Sequence, residues 1–242
     1  MPFITGRPLS KPGGRPVNQD STAFVLARSM GCWVLADGLG GHAAGEVASR
    51  VAVEAVVEAF NNTLGISGNA LRHYISAAQN AVHEQQRQRH DLSPMKTTIT
   101  VLVASDGFAR WAHVGDSRLY AFRDGQVVDQ TDDHSVPQAL VAAGEIRQED
   151  IREHPERNRI LRALGKRGEP QPDVGEPLYI GSGDAFLLCS DGFWEYVLET
   201  EMEMDLQAAK DPDEWVESME RRLLKRVPPD NDNYSALAVF VT

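Results

Sequence analysis

Positive charge is what this sequence has least of: 24 Lys and Arg stand against 35 Asp and Glu, a formal net charge of -11. No run of five or more Lys/Arg occurs, which argues against nucleic acid or an anionic membrane as the main partner. Most of the acidic excess reads as solvated surface, with room for part of it to be gathered into a cation site. Long apolar runs are missing too. No window approaches 18 consecutive apolar residues, so no membrane span is expected. Met1-Pro2-Phe3-Ile4-Thr5-Gly6-Arg7 lacks the apolar stretch a signal peptide needs. Cysteine is scarce: Cys32 and Cys189, both in apolar strand-like runs, read as buried thiols and suit a reducing cytoplasm. There is no Gly-Lys-Ser/Thr phosphate loop. What is present, 242 residues that are 42% hydrophobic and 24% charged, suffices for one large domain or two small ones.

Residues 1–20, rich in Gly and Pro, read as an extended or looped segment. Thr22–Arg28 and Cys32–Ala36 are strand-like, with Ser29-Met30-Gly31 as a hairpin connection. The period then changes: Val47, Val51, Ala55 and Ala59 predict a helix over Ala43–Phe60, and Leu71, Ile75, Ala78 and Val82 a second over Leu71–Arg89. Strand composition returns at Thr98–Ala104, Phe108–Val114, Leu119–Phe122 and Gln126–Asp129, with turns at Ser105-Asp106-Gly107 and Asp124-Gly125. Residues 131–177 are polar and rich in Gly and Pro, with one helical piece near Val136–Ala143; they suit a linker between domains or a lid over a site. A strand at Ala185–Ser190, a helix at Glu214–Lys225 and a strand at Ser235–Val241 follow. Strands joined by hairpins around a consecutive helix pair make an α+β pattern. One domain over 1–242 with an inserted flap at 131–177 is the preferred reading.

One grammar recurs. Val34-Leu35-Ala36-Asp37-Gly38, His113-Val114-Gly115-Asp116-Ser117 and Leu187-Leu188-Cys189-Ser190-Asp191-Gly192 each set an aspartate where an apolar strand stops, and Asp230-Asn231-Asp232-Asn233 precedes the last strand. A lone Asp-Gly is ordinary turn chemistry. Four such sites can converge on one sheet edge, where crowded carboxylates need a cation to stay ionised, and oxygen-only ligands favour Mg²⁺ or Mn²⁺. Gly38, Gly40 and Gly41 let backbone and ions approach Asp37. A dinucleotide loop at Gly38–Ala43 is disfavoured, because Asp37 would repel a pyrophosphate and no parallel βαβ unit follows. A calcium loop at Asp230 fails, since Ser235 and Val241 stand where glycine and glutamate belong.

Arg15-Pro16-Val17-Asn18-Gln19-Asp20, Asp37-Gly38-Leu39-Gly40-Gly41-His42, Val114-Gly115-Asp116-Ser117-Arg118, Ser190-Asp191-Gly192-Phe193-Trp194-Glu195 and Asp232-Asn233, in this order, resemble the motif set of the metal-dependent (PPM, type 2C) protein phosphatases. Thr131–Ser135 and Arg157–Gly165 resemble the bacterial branch. The resemblance implies a four-layer αββα sandwich with two central antiparallel sheets and flanking helices. It also implies hydrolysis of phosphoserine and phosphothreonine in proteins by a metal-activated water, with Mn²⁺ or Mg²⁺ as cofactor. On this basis Asp37 bridges two ions, the Gly38 carbonyl binds one of them, and Asp191 and Asp232 complete the other site. Asp116, with Asp191, serves a third and weaker ion; Asp20 holds metal-bound water, and Arg15 grips the phosphate with its guanidinium fork. Two positions depart from the pattern. Gln19 replaces a common glutamate, and Leu39 stands where eukaryotic relatives carry a histidine proposed as general acid. His42 is the candidate substitute, with helix capping or packing as its other reading. His113, His134 and the tryptophans read as structural. A dead relative that only binds phosphoproteins would have lost a metal aspartate or the arginine; neither is lost. The expected partners are phosphoproteins and a Ser/Thr kinase pathway, in some relatives tied to secretion-system control. The expected state is a cytoplasmic monomer, with the flap governing substrate choice.

Overall fold

Strand β4 (Met30–Leu39) shows how the layers are organised. Its side chains alternate with a period of two: Cys32, Val34 and Ala36 face one cluster, Trp33 and Leu35 another. Both faces are buried, which is why the sequence reads there as a continuous apolar run instead of an alternating one. We describe residues 3–40, 43–89, 94–105 and 107–242 of a computed structural model.

One sheet joins β1 (Phe3–Thr5), β2 (Leu9–Lys11), β8 (Arg118–Arg123), β9 (Gln126–Gln130), β12 (Ala185–Cys189) and β13 (Tyr234–Val241). Its path runs β1-β13-β12-β8-β9, with β2 also on β13. The second sheet runs β10-β7-β6-β4-β3, built from β3 (Asp20–Ala27), β6 (Ile99–Ser105), β7 (Phe108–Val114) and β10 (Asp173–Val174) beside β4. Strand β5 (Lys96–Thr97) pairs with β4, and β11 (Leu178–Tyr179) with β7. All these pairings are antiparallel.

The sheets pack face to face through Trp33, Leu35, Leu102, Leu119, Phe186 and Leu237. Helices α1 (Ala43–Asn62) and α2 (Gly68–Gln88) cover the outer face of the second sheet. The outer face of the first is covered by α4 (Asp191–Trp194), α5 (Glu199–Ala208) and α6 (Pro212–Leu223). This is the expected αββα sandwich. Helix α3 (Val136–Ala142) follows β9, and β10 brings the chain back to the second sheet.

The local differences have physical reasons. The leading segment holds β1 and β2, both completed by pairing to β13 from the far end of the sequence, which no local pattern reveals. The β3–β4 hairpin turns at Arg28-Ser29, since Ala27 pairs with Met30. Strand β4 continues through Asp37 and Gly38 as its partner changes from β6 to β5. Helix α5 carries no helical period in its sequence, because Glu-Thr-Glu-Met-Glu-Met alternates as a strand does. The Asp124-Gly125 turn is as expected, with both φ angles positive (52° and 74°). The Ser105–Gly107 turn includes Asp106, which lies outside the described residues.

Candidate active site

Asp37 and Asp20 sit directly opposite one another on β4 and β3. Opposed residues of an antiparallel pair share a face, with Cβ atoms about 5 Å apart, and like charges in such a pair repel. The backbone of Asp37 is held on both sides. Its N–H donates to Thr98 Oγ1 (2.9 Å), and its carbonyl accepts from Thr98 N–H (2.8 Å) and Thr97 Oγ1 (2.8 Å). At Gly38 the missing side chain makes room for protein: a Cβ there would lie 2.1 Å from the Gly45 carbonyl in the first turn of α1.

Asp116 follows β7 on a turn where Gly115 takes φ +113° and a Cβ would strike Thr98. Its carbonyl accepts from Trp194 Nε1 (2.9 Å), and the guanidinium of Arg118 lies 3.6 Å over the Trp194 ring. Arg118 in turn forms a buried fork on Asp133, with both N···O distances 2.8 Å. Asp191 begins α4, where its Oδ1 accepts from Gly192 N–H (2.6 Å), and it lines the same cavity as Asp37. Asp232 precedes β13; its Oδ1 accepts from Asn233 N–H (2.8 Å) and its Oδ2 from Arg15 Nη2 (3.1 Å). Asn233 ties down the loop that carries Arg15. Its Nδ2 donates to Pro12 and Val17 carbonyls (both 2.9 Å), and its Oδ1 accepts from Gln19 N–H (2.8 Å).

Arg15, Asp37, Gly38, Asp191 and Asp232 line a single cavity of about 470 Å³. Asp20 and Asp116 are buried and are not part of its lining. His42 lies outside the described residues. Burial pushes Asp20 up to about 7 despite the Ser190 hydroxyl donating to its Oδ2 (2.7 Å), and Asp191 and Asp232 add to the rise. Burial, then repulsion from Asp232, lifts Asp191 to about 6. Asp37 is raised by burial and then by Asp20, Asp191, Asp116 and Asp232, and Asp116 by burial and then by Asp191 and Asp133. Oδ1 of Asp20 and Oδ1 of Asp116 are buried without a hydrogen-bond partner. Orphaned carboxylate oxygens among mutually repelling acids suit a hard divalent cation. Among the described residues no three His, Cys, Asp or Glu side chains already close into a cage. The donors line an open cavity, which matches the habit of Mg²⁺ of keeping several waters and few carboxylates.

Residues 14–231 match the family Protein phosphatase 2C. The chain belongs to that family. The Ser/Thr protein phosphatase PstP of Mycobacterium tuberculosis is 36% identical over 221 residues, which cover 88% of this chain and 41% of PstP. This chain thus spans less than half of that relative. The protein phosphatase PhpP of Streptococcus pneumoniae is 36% identical over 193 residues, 78% of each. The PstP catalytic domain, solved with two manganese ions, superposes with a TM-score of 0.84 at 31% identity, over 99% of this chain and 98% of that one. PppA of Pseudomonas aeruginosa, described as a key regulatory component of its T6SS, gives 0.79 at 29% identity, over 99% and 98%.

The props around the phosphatase-family carboxylates escaped the sequence. Thr98 carried no signal beyond strand composition, and the Arg118–Asp133 fork joins residues with no periodic relation. Asn233 was visible as part of a motif, but its role in fastening the Arg15 loop was not.

Proposed function

We propose that this protein hydrolyses phosphoserine and phosphothreonine in proteins, in opposition to a Ser/Thr kinase. The observation that carries this is the meeting of Arg15, Asp37, Gly38, Asp191 and Asp232 on one cavity, in a family whose PstP member binds two manganese ions. Asp37, the Gly38 carbonyl, Asp191 and Asp232 would hold two Mn²⁺ or Mg²⁺ ions, and Asp116 with Asp191 a third. When bound, such ions lower the pKa of water and offset charge on phosphoryl oxygens.

The chain's own groups do the rest. Arg15, half exposed and held at the cavity mouth by its ion pair with Asp232, presents further N–H donors to two phosphate oxygens. Asp20 keeps Oδ2 on Ser190, and its otherwise unpartnered Oδ1 would hold a water bound to the metal ions. Asn158 and Ile160, from the segment read as a flap, form the facing wall. Neither cysteine takes part: both are free, buried and pushed up by burial, which accords with a reducing cytoplasm. Among the described residues no helix is long and apolar enough to cross a membrane. A single domain acting as a monomer, with 131–177 as its flap, completes the reading. Secretion-system control is supported only by the likeness to PppA.

The test is turnover of p-nitrophenyl phosphate and a phosphothreonine peptide with and without Mn²⁺. Manganese-dependent activity is expected. Asp37→Asn should lower it more than about 100-fold, since even groups that merely orient metal ligands are worth about 10–100-fold. Metal-independent turnover, or wild-type activity in Asp37→Asn, would refute the proposal.

A further inference from the structure

A second cavity of about 290 Å³ adjoins the first and shares Leu39, Gly40, Asn158 and Ile160 with it. Its remaining wall carries Lys96 and Lys166. One backbone junction positions both lysines. Lys96 pairs in register with Leu39, two residues beyond Asp37 on the same strand. Its neighbour Thr97 exchanges hydrogen bonds with Leu164, N–H to carbonyl at 3.2 and 2.8 Å. Gly165 then crosses β5 at φ +84°, so close that a Cβ would lie 2.6 Å from the Met95 carbonyl, and Lys166 follows.

The two ammonium groups are under-compensated in an acidic protein. Lys166 spends one N–H on the Leu161 carbonyl and keeps two. Among the described residues neither lysine forms an ion pair with a carboxylate, whereas Lys11 does. Burial and the charge of Lys96 push the Lys166 ammonium down. Two like charges facing one small cavity favour an anion between them. The cavity is contiguous with the catalytic one, so a substrate chain seated in the first reaches the second with a neighbouring side chain.

We infer that the Lys96–Lys166 cavity is a substrate subsite for an anionic side chain, an Asp, a Glu or a second phosphorylated residue, close in sequence to the phosphoresidue being hydrolysed. This rests on the phosphatase reading of the main cavity.

Matched phosphothreonine peptides carrying Ala, Asp or a second phosphothreonine at each position within four residues of the target test it. Both kcat/KM with Mn²⁺ and fluorescence-anisotropy binding to metal-free protein are measured. At one or two positions the anionic peptide should exceed the Ala peptide about 3- to 10-fold, the range of one or two partly exposed charge contacts. The advantage should shrink at high ionic strength. Lys96→Ala and Lys166→Ala should each reduce the ratio, the double variant should bring it to one, and Lys96→Arg should keep it. Lys96→Ala leaves the Lys166–Leu161 bond in place, so a loosened flap cannot imitate the result. A preference limited to Asp identifies a carboxylate, and one limited to the second phosphothreonine identifies a doubly phosphorylated substrate. No anionic preference at any position, or a preference that survives the double variant, overturns the subsite. Absent turnover of p-nitrophenyl phosphate would instead remove the phosphatase reading, while anisotropy still reports on the lysines.

Discussion

Arg118 is buried to 3% of its side chain and Asp133 to 1%, and together they support the turn that carries Asp116. Removing one partner of such a pair leaves an uncompensated charge in the interior, at a cost of about 3–5 kcal/mol. Arg118→Met should therefore lower stability by that order, and Arg118→Met with Asp133→Leu should recover most of the loss. Denaturant midpoints measure both; equal losses in the single and double variants would show that the fork matters little. Trp194 belongs to the same support, with its indole N–H on the Asp116 carbonyl and its face under the guanidinium. Its sequence context marked it only as a core residue. Charged pairs of this kind are illegible in sequence because nothing periodic links position 118 to 133.

Helix α2 shows how far periodicity reaches. Leu71, Ile75, Ala78 and Val82 form its apolar face as their spacing predicts, all fully buried. Gln79 lies among them as a buried polar residue, and its use became visible only with the fold. Its Nε2 donates to the Lys166 and Gly168 carbonyls (2.9 and 3.0 Å) and its Oε1 accepts from Gly165 N–H (2.8 Å). Gln86 repeats the device on the Met95 and Gly165 carbonyls (2.8 and 2.9 Å). One helix thus fastens both sides of the Lys96–Lys166 junction. Gln79→Leu should remove one partner each from the Gly165 N–H and the Lys166 and Gly168 carbonyls. Of these, the Lys166 carbonyl keeps His83 Nε2 (3.1 Å) and Gly168 is exposed to water. Each loss should therefore be near the net worth of a hydrogen bond, about 1 kcal/mol. Hydrogen exchange should quicken over residues 164–168 and stay slow in β6. A uniform change across the molecule, or none, would count against this anchoring role.

For the molecule as a whole, the carboxylate cluster ties stability to pH. Asp20 and Asp191 stand near 7 and 6 when folded, against an ordinary value of 3.8. The folded state therefore holds more protons than the unfolded one between those limits. The stability these groups contribute is complete below about pH 4 and lost as pH rises through 6 and 7. In the presence of a chelator the melting temperature should fall from pH 5 to pH 8, and Mn²⁺ at pH 8 should restore it. A chelated protein whose melting temperature holds steady over that interval would remove the repulsion as a factor. The aspartates at strand ends were legible because each interrupts an apolar run. That Asp20 and Asp37 stand in register was not, because pairing depends on where the Arg28-Ser29 turn falls.

Strand β13 lies inside its sheet, between β12 on one side and β1 and β2 on the other. Translation delivers Asp37 long before this strand. Until it docks, β12 has an open edge, the Arg15 loop lacks Asn233 to hold it, and Asp232 is missing from the cavity. The cavity is thus completed only when the two ends of this sheet meet: Asp232 and the Asn233 fastening of the Arg15 loop arrive together with β13.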